Sequence, residues 1–264
     1  MGKVLCELMS AMILDRRRRQ RYRNRHREDL HPELRLSRLV LAAQAVRAVH
    51  ERAFLKYKGC FGGRDVVVVA CGPTAAKYKP IPGAVHIGVN SAYRLENVGL
   101  DFLFAQDCAA DIRRRRKEIV EYPGNACRKF FGIIGEDVCG EGNCTWPESD
   151  AIAAGAERYY VREGVPGEPG LIPRDISCNP LTDYQNIVFP ALQFALWTNP
   201  ARICLVGCDC TTNGHFDSNQ RNWLDFDAIF AGYRDIKAFA EKWYPETKIV
   251  SVNPVGLKGF FEEA

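Results

Sequence analysis

His215 stands in the loop "CTTNGHFDSN", directly after one of the chain's most apolar runs, "ICLVGCD". It is the one histidine in the C-terminal half. An imidazole titrates near neutrality, so a histidine in a polar loop can take a proton from a reacting hydroxyl. Asp209, at the end of the apolar run, is the second candidate for acid–base work. A lone carboxylate there can also bind one metal ion or cap its own loop.

Other apolar runs end in the same kind of residue. "DVVVVAC" is followed by Gly72, Pro73 and Thr74; "AVHIGV" by Asn90 and Ser91; "LDFLFA" by Gln106 and Asp107. "ARICLV" is followed by Gly207, Asp209, Thr211, Thr212 and Asn213. These short polar side chains suit hydrogen bonds to a ribose, a base edge or a phosphate. The chain has no GxGxxG and no GxxxxGK[ST], which argues against a dinucleotide loop and a P-loop. It has no Asp-x-Asp after a strand to hold a metal on a sugar nucleotide. Gly72 allows close backbone approach, Pro73 stiffens the turn, and Thr74 offers a hydroxyl where a helix begins. That turn suits a single nucleotide.

The elements that must position these residues alternate along the chain. Continuous apolar runs at 65–71, 84–90, 100–107, 128–135 and 201–209 read as strands buried on both faces. Segments 156–163 and 248–254 read as further strands. Helices are expected at 91–97, 112–122, 187–198 and 226–244, the last with Ile229, Tyr233, Ile236 and Ala240 on one face. Strands alternating with helices imply an α/β fold, a Rossmann-like, mostly parallel sheet flanked by helices. Ligands then gather at the carboxyl ends of the strands. Pro190 lacks an N–H and belongs in the first turn of its helix. That helix start, near Thr182, Gln185 and Asn186, could face a phosphate or be capped by Thr182 or Asp183. His86 reads as structural, and Tyr93 and Tyr233 as core residues.

Two parts are expected: a basic N-terminal helical extension over 1–60 and a Rossmann-like domain over 61–264, the part that the resemblance described next makes nucleotide-sugar-binding and catalytic. Residues 1–60 hold 15 Lys+Arg against 6 Asp+Glu, net +9; the whole chain is +4, so the remainder is 4 − 9 = −5. The run "DRRRRQRYRNRHRED" (15–29) is a solvated block or a contact for an anionic membrane surface, with Met9, Met12, Ile13 and Leu14 dipping in. Its single aromatic, Tyr22, argues against nucleic acid. Residues 33–57 carry a helical apolar stripe (Leu36, Leu39, Val40, Ala43, Val46, Ala53, Phe54, Tyr57), expected to dock on the body. No apolar run approaches the roughly 20 residues of a membrane span. Eleven cysteines, with Cys71 and Cys204 inside strands, fit a reducing cytoplasm. Cys139/Cys144 and Cys208/Cys210 lack paired zinc spacing.

"VVVVACGPTA", "HIGVNSAY", "NPARICLVGCD" and "DIKAFAEKWYPETKIVSVNP" together resemble the bacterial sialyltransferases of glycosyltransferase family 42. They also resemble the domain-of-unknown-function 115 group, which includes motility-associated glycosyltransferases and archaeal hydroxymethylpterin pyrophosphokinases. The resemblance covers residues 64–110 and 180–256. The family's first turn reads close to G-N-G-P-S; here Gly72 and Pro73 match, Thr74 stands for Ser, and Ala70-Cys71 replace Gly-Asn. The second-strand Asn matches Asn90, and the third-strand Asn falls near Gln106. The family's Thr-Ser-Gly has no clean match near Asp183–Asn186, and its lid histidine is offset from His215.

The resemblance implies a variant GT-A-like fold and glycosyl transfer from a nucleotide-activated donor, CMP-sialic acid-like or another nucleotide sugar, to a cell-surface glycan. It implies inversion, no obligatory metal or cofactor, and a location in the cytoplasm at the inner membrane face. His215 and Asp209 would be catalytic; Gly72, Pro73, Thr74, Asn90, Ser91, Gln106, Asp107, Asn186 and Gly207 would bind the nucleotide. The alternatives are a pterin-type pyrophosphokinase, which needs Mg and ATP, and a non-catalytic nucleotide-binding domain.

Overall fold

A computed structural model describes residues 32–106, 110–123, 127–134, 145–218 and 225–264, with no side-chain detail for 32–38 and 110–114. The arginine-rich run at 15–29, Asp107, Cys139 and Cys144 lie outside the described residues. The chain divides into two units, Met1–Arg47 and Ala48–Ala264.

Helix α1 is Pro32–Phe54. Strands β1 (Asp65–Val69), β2 (Val85–Val89) and β3 (Phe102–Ala105) follow, then α2 (Ala110–Glu121) and β4 (Arg128–Ile134). Next come α3 (Glu148–Ala153), β5 (Glu157–Glu163), β6 (Leu181–Asp183) and α4 (Val188–Trp197). The chain closes with β7 (Arg202–Val206), α5 (Phe226–Trp243), β8 (Lys248–Val252) and β9 (Glu262–Glu263). Among the described residues, nine strands form one sheet in the order β6-β5-β4-β3-β2-β1-β7-β8-β9, and every pairing is parallel. This is the expected α/β, Rossmann-like architecture. The strands read from continuous apolar runs are all present; β6, α3 and β9 are additional.

The central strands are buried on both faces because helices cover both. Val66, Val68, Ile87, Phe104, Phe130 and Leu205 point to one face, where they meet the C-terminal end of α1, α4 and α5. Val67, Val69, Leu103, Phe131, Cys204 and Val206 point to the other, with Ile119 of α2 and Ala151 of α3. Every residue of α4 is buried, which explains why it shows no polar face in sequence. Phe194 of α4 is the hub of an aromatic cluster, with ring centroids 5.1–5.8 Å from Phe54, Tyr57, Phe102, Phe104 and Phe130. Ala53 and Phe54, at the end of α1, are buried in this face.

His50 pins α1 to the sheet. Its ring is fully buried. Nδ1 lies 2.8 Å from the Ile176 carbonyl and must donate to it. Nε2, 2.7 Å from the Tyr160 amide, accepts that N–H. The neutral tautomer thus satisfies both partners, and a second ring proton would break the Tyr160 bond. Burial pushes the imidazole from its usual 6.5 down to about 4. The unfolded chain therefore binds a proton in this window that the folded chain refuses. The His50 contribution is complete above pH 6.5 and is lost as pH falls toward 4, by about 3 kcal/mol. Urea unfolding of the full chain between pH 7 and 4 should show this fall. His50→Gln, which can donate to Ile176 and accept from Tyr160, should show a shallower one; parallel pH profiles would refute the assignment.

Candidate functional site

The strand order reverses between β1 and β7. β2 through β6 lie on one side of β1, and β7 through β9 on the other. Chains leaving two adjacent parallel strands in opposite directions open a crevice at their carboxyl ends, the usual ligand position in such sheets. The residues expected from sequence at this point are brought together here: Gly72, Pro73 and Thr74 after β1, and Gly207 and Asp209 after β7.

The two turns lock onto each other. The Gly72 N–H donates to the Gly207 carbonyl at 2.8 Å, and the Ala70 N–H to the Val206 carbonyl at 2.8 Å. A Cβ on Gly72 would stand 2.6 Å from an Asp209 carboxylate oxygen. Gly207 has φ +67, and a Cβ there would stand 2.7 Å from the Ala70 carbonyl oxygen. Asp209 is buried, and both its oxygens serve Thr74. Oδ2 accepts the Thr74 N–H at 2.8 Å and Oδ1 accepts the Thr74 hydroxyl. The Ala75 N–H returns to the Gly72 carbonyl. A glycine-rich phosphate loop offers its amides to the ligand. The amides of Gly72 and Thr74 are spent on the turn after β7, that of Ala75 on the turn itself, and Pro73 has none. Its contribution to a ligand is shape: a tight, rigid floor.

The ends of β2 and β3 are different. Asn90 adopts φ +46, a left-handed conformation that asparagine tolerates, and its Oδ1 is buried without a hydrogen-bond partner. Gln106 is buried; its Nε2 donates to Asp183 Oδ2 at 2.5 Å, and its Oε1 has no partner. The Asp183 carboxylate fixes that amide orientation, because a flipped amide would set oxygen against oxygen. Asp183 Oδ1 also accepts the Asn186 N–H at 2.6 Å, and Asn186 Oδ1 accepts the Val188 N–H at 3.0 Å. Asn186 thus closes a local turn one residue before Ile187, the N-cap of α4, and Thr182 lies in β6 rather than at the helix start.

The loop carrying His215 folds back over the first turn. The Phe216 N–H donates to the Cys71 carbonyl at 2.8 Å, and His215 and Ser218 exchange backbone hydrogen bonds at 3.2 Å. His215 is exposed. Beside it, Asp217 Oδ2 accepts from Arg115 at 2.6 Å and from Arg94 at 3.3 Å. Arg115 also donates to the Ser91 hydroxyl, and Arg94 makes a two-pronged contact to Glu118 at 2.7 and 2.9 Å. Arg94, Arg115 and Asp217 were not marked by sequence. The signal was present: Arg94 closes the short helical turn begun at Asn90, and Asp217 lies two residues from His215.

The remaining candidates resolve into packing. Tyr93 donates to Glu118 at 2.6 Å, and its phenol is pushed up to about 12, first by burial and then by that carboxylate. Tyr233 is fully buried against Cys208 and Cys210; burial pushes all three groups up, Cys210 to about 12. Burial likewise pushes Cys71 up to about 12, so it packs as a protonated thiol that donates to the Val89 carbonyl at 3.2 Å. His86 is buried, its Nε2 3.0 Å from the Tyr78 hydroxyl.

No family model and no curated protein matches the chain. Among solved structures, the sialyltransferase CstII from Campylobacter jejuni, in complex with the substrate analogue CMP-3FNeuAc, aligns with a TM-score of 0.44 and 12% identity. The alignment covers 76% of this chain and 86% of that one. It transfers neither a ligand nor a residue role to this chain.

The clamp geometry separates two variants of Asp209. Asp209→Asn keeps an acceptor for the Thr74 N–H and gives the Thr74 hydroxyl a donor, so thermal unfolding should reveal a loss of only about 1 kcal/mol. Asp209→Ala leaves the Thr74 amide unpaired and should cost about 1–3 kcal/mol. Equal losses for the two would show that the carboxylate does not hold this turn.

Proposed function

We propose that the chain is a glycosyltransferase that moves a sugar from a nucleotide-activated donor to a glycan acceptor. One observation carries the reading. Short polar side chains follow β1, β2, β3 and β7 along the carboxyl edge of one parallel sheet, and the turns after β1 and β7 bond to each other where the strand order reverses. The family 42 resemblance at these same segments supports it, and supports a CMP-sialic acid-like donor, a cell-surface glycan acceptor and inversion of the transferred centre.

In this reading Gly72, Pro73 and Gly207 form the floor on which the nucleotide rests. Asn90, Ser91, Gln106 and Asp107 make its hydrogen bonds, and Asn186 stands at the start of α4. Asp209 is a positioning residue that holds the floor in shape through Thr74. His215 is the base. It removes the proton from the acceptor hydroxyl as that oxygen bonds to the anomeric carbon. The bond from that carbon to the nucleotide breaks on the opposite face, and its electron pair leaves with the phosphate. The turn's own amides are spent internally, so charge on the leaving group falls to the polar side chains of Thr211, Thr212 and Asn213. No metal is needed in this scheme. The basic run at 15–29 would hold the enzyme against an anionic inner membrane face. Among the described residues no helix is long and apolar enough to cross a membrane.

Thermal unfolding of the full chain tests the donor. CMP or UDP without metal, at about 100 times Kd, should add about 2.7 kcal/mol, which is about 5–10 °C for a domain of this size. A shift seen only with ATP and magnesium would sink the reading and favour a pyrophosphokinase. His215→Ala should lower kcat by about 10²–10⁴ with nucleotide binding retained. Undiminished turnover would remove His215 from the mechanism.

A further inference from the structure

Asp217 is held more tightly than its place in an exposed loop requires. Its side chain is 10% exposed, and two guanidinium groups, from Arg115 at 2.6 Å and Arg94 at 3.3 Å, converge on Oδ2. The arginines are themselves anchored, Arg115 on the Ser91 hydroxyl and Arg94 on the Glu118 carboxylate. Oδ1 is buried and has no hydrogen-bond partner. A carboxylate oxygen only accepts, so whatever completes it must bring a hydroxyl or an N–H. Buried acceptors of this kind are rare enough in folded proteins to call for a reason.

Position narrows the donor. The neighbouring Phe216 N–H bonds the Cys71 carbonyl just past β1. A single nitrogen, Arg115 Nη1, donates both to Asp217 Oδ2 and to the Ser91 hydroxyl just past β2. Asp217 therefore stands at the carboxyl ends of β1 and β2. In doubly wound folds a carboxylate near the end of the second strand takes a ribose hydroxyl, while the phosphates lie by the first turn. Here β2 leads into neutral Asn90. We propose that Asp217 supplies that carboxylate from the loop after β7 and accepts a ribose hydroxyl of the bound nucleotide. Asn90 Oδ1, just past β2, is a second buried oxygen without a partner. Arg94 and Arg115 are positioning residues: they occupy Oδ2 and leave Oδ1 for the ligand. The assignment rests on the nucleotide reading of the crevice and specifies its ligand as a ribonucleotide.

Titration calorimetry on the full chain tests it with CMP, UMP and their 2′-deoxy and 3′-deoxy counterparts. For at least one of these nucleotides, removing one ribose hydroxyl should weaken binding about 10-fold or more, because a charged acceptor is left unpaired. Asp217→Asn, checked for folding by its melting curve, should bring ribo- and deoxy-forms to within about 2-fold of each other. Equal binding of ribo- and deoxy-forms by the natural chain would overturn the assignment without any variant, and so would a preference that survives Asp217→Asn. If none of the nucleotides binds, the nucleotide reading falls and the assignment with it, a result distinct from equal binding.

Discussion

The Gly72 N–H to Gly207 carbonyl bond, with Asp209 closed over Thr74, sets the geometry on which the site depends. It joins the turns after β1 and β7, the two strands between which the sheet changes direction. All nine strands run parallel, so their carboxyl ends share one edge, and the reversal decides where along that edge a crevice opens. The bond forms because neither position carries a side chain. A methyl group at either one would collide with backbone or with the Asp209 carboxylate. With the turns locked, the loop bearing His215 has a fixed surface to fold onto, and Phe216 makes that contact through the Cys71 carbonyl.

Most of the fold could be read from the chain because its strands are buried on both faces. "VVVV" at β1 and "ICLV" in β7 have no solvent side, so they appear as unbroken apolar runs. The elements that escaped reading lack that signature for physical reasons. β6 is three residues, "LTD", and its polar members are buried through Gln193, whose amide serves both the N–H and the carbonyl of Thr182. β9 is "EE", an exposed edge strand, where nothing selects for apolar residues.

The candidate residues were legible as strand ends, but not in how they are used. Gly72, Asn90, Gln106 and Gly207 each stand just past an apolar run that proves to be a strand, which could be read without knowledge of the sheet order. How those residues use their polar groups is a three-dimensional matter. Thr74 and Asp209 looked available for a ligand and are bonded to each other. Asp183 looked like a helix cap and also orients Gln106, a residue 77 positions away. Arg94, Arg115 and Asp217 come from three separate segments, and no local pattern links them.

The division of donors and acceptors at this edge constrains the chemistry further. The turn after β1 uses its amides internally, while Asn90, Gln106 and Asp217 each keep a buried oxygen without a partner. A site meant to hold phosphate through backbone amides would show the reverse: free N–H groups and satisfied oxygens. Surplus acceptors match groups that donate, such as ribose hydroxyls, ring hydroxyls of a sugar, or an exocyclic amine. Such a surplus also carries selectivity, because a ligand lacking a donor leaves a desolvated oxygen unpaired, a larger penalty than a lost apolar contact. The edge therefore offers acceptors to any ligand that brings hydroxyls or amines. Arg94 and Arg115, facing Glu118 and Asp217, are already neutralised and add little net positive field. What the pairing of these few groups leaves open is hydrogen-bond acceptance rather than attraction of an anion.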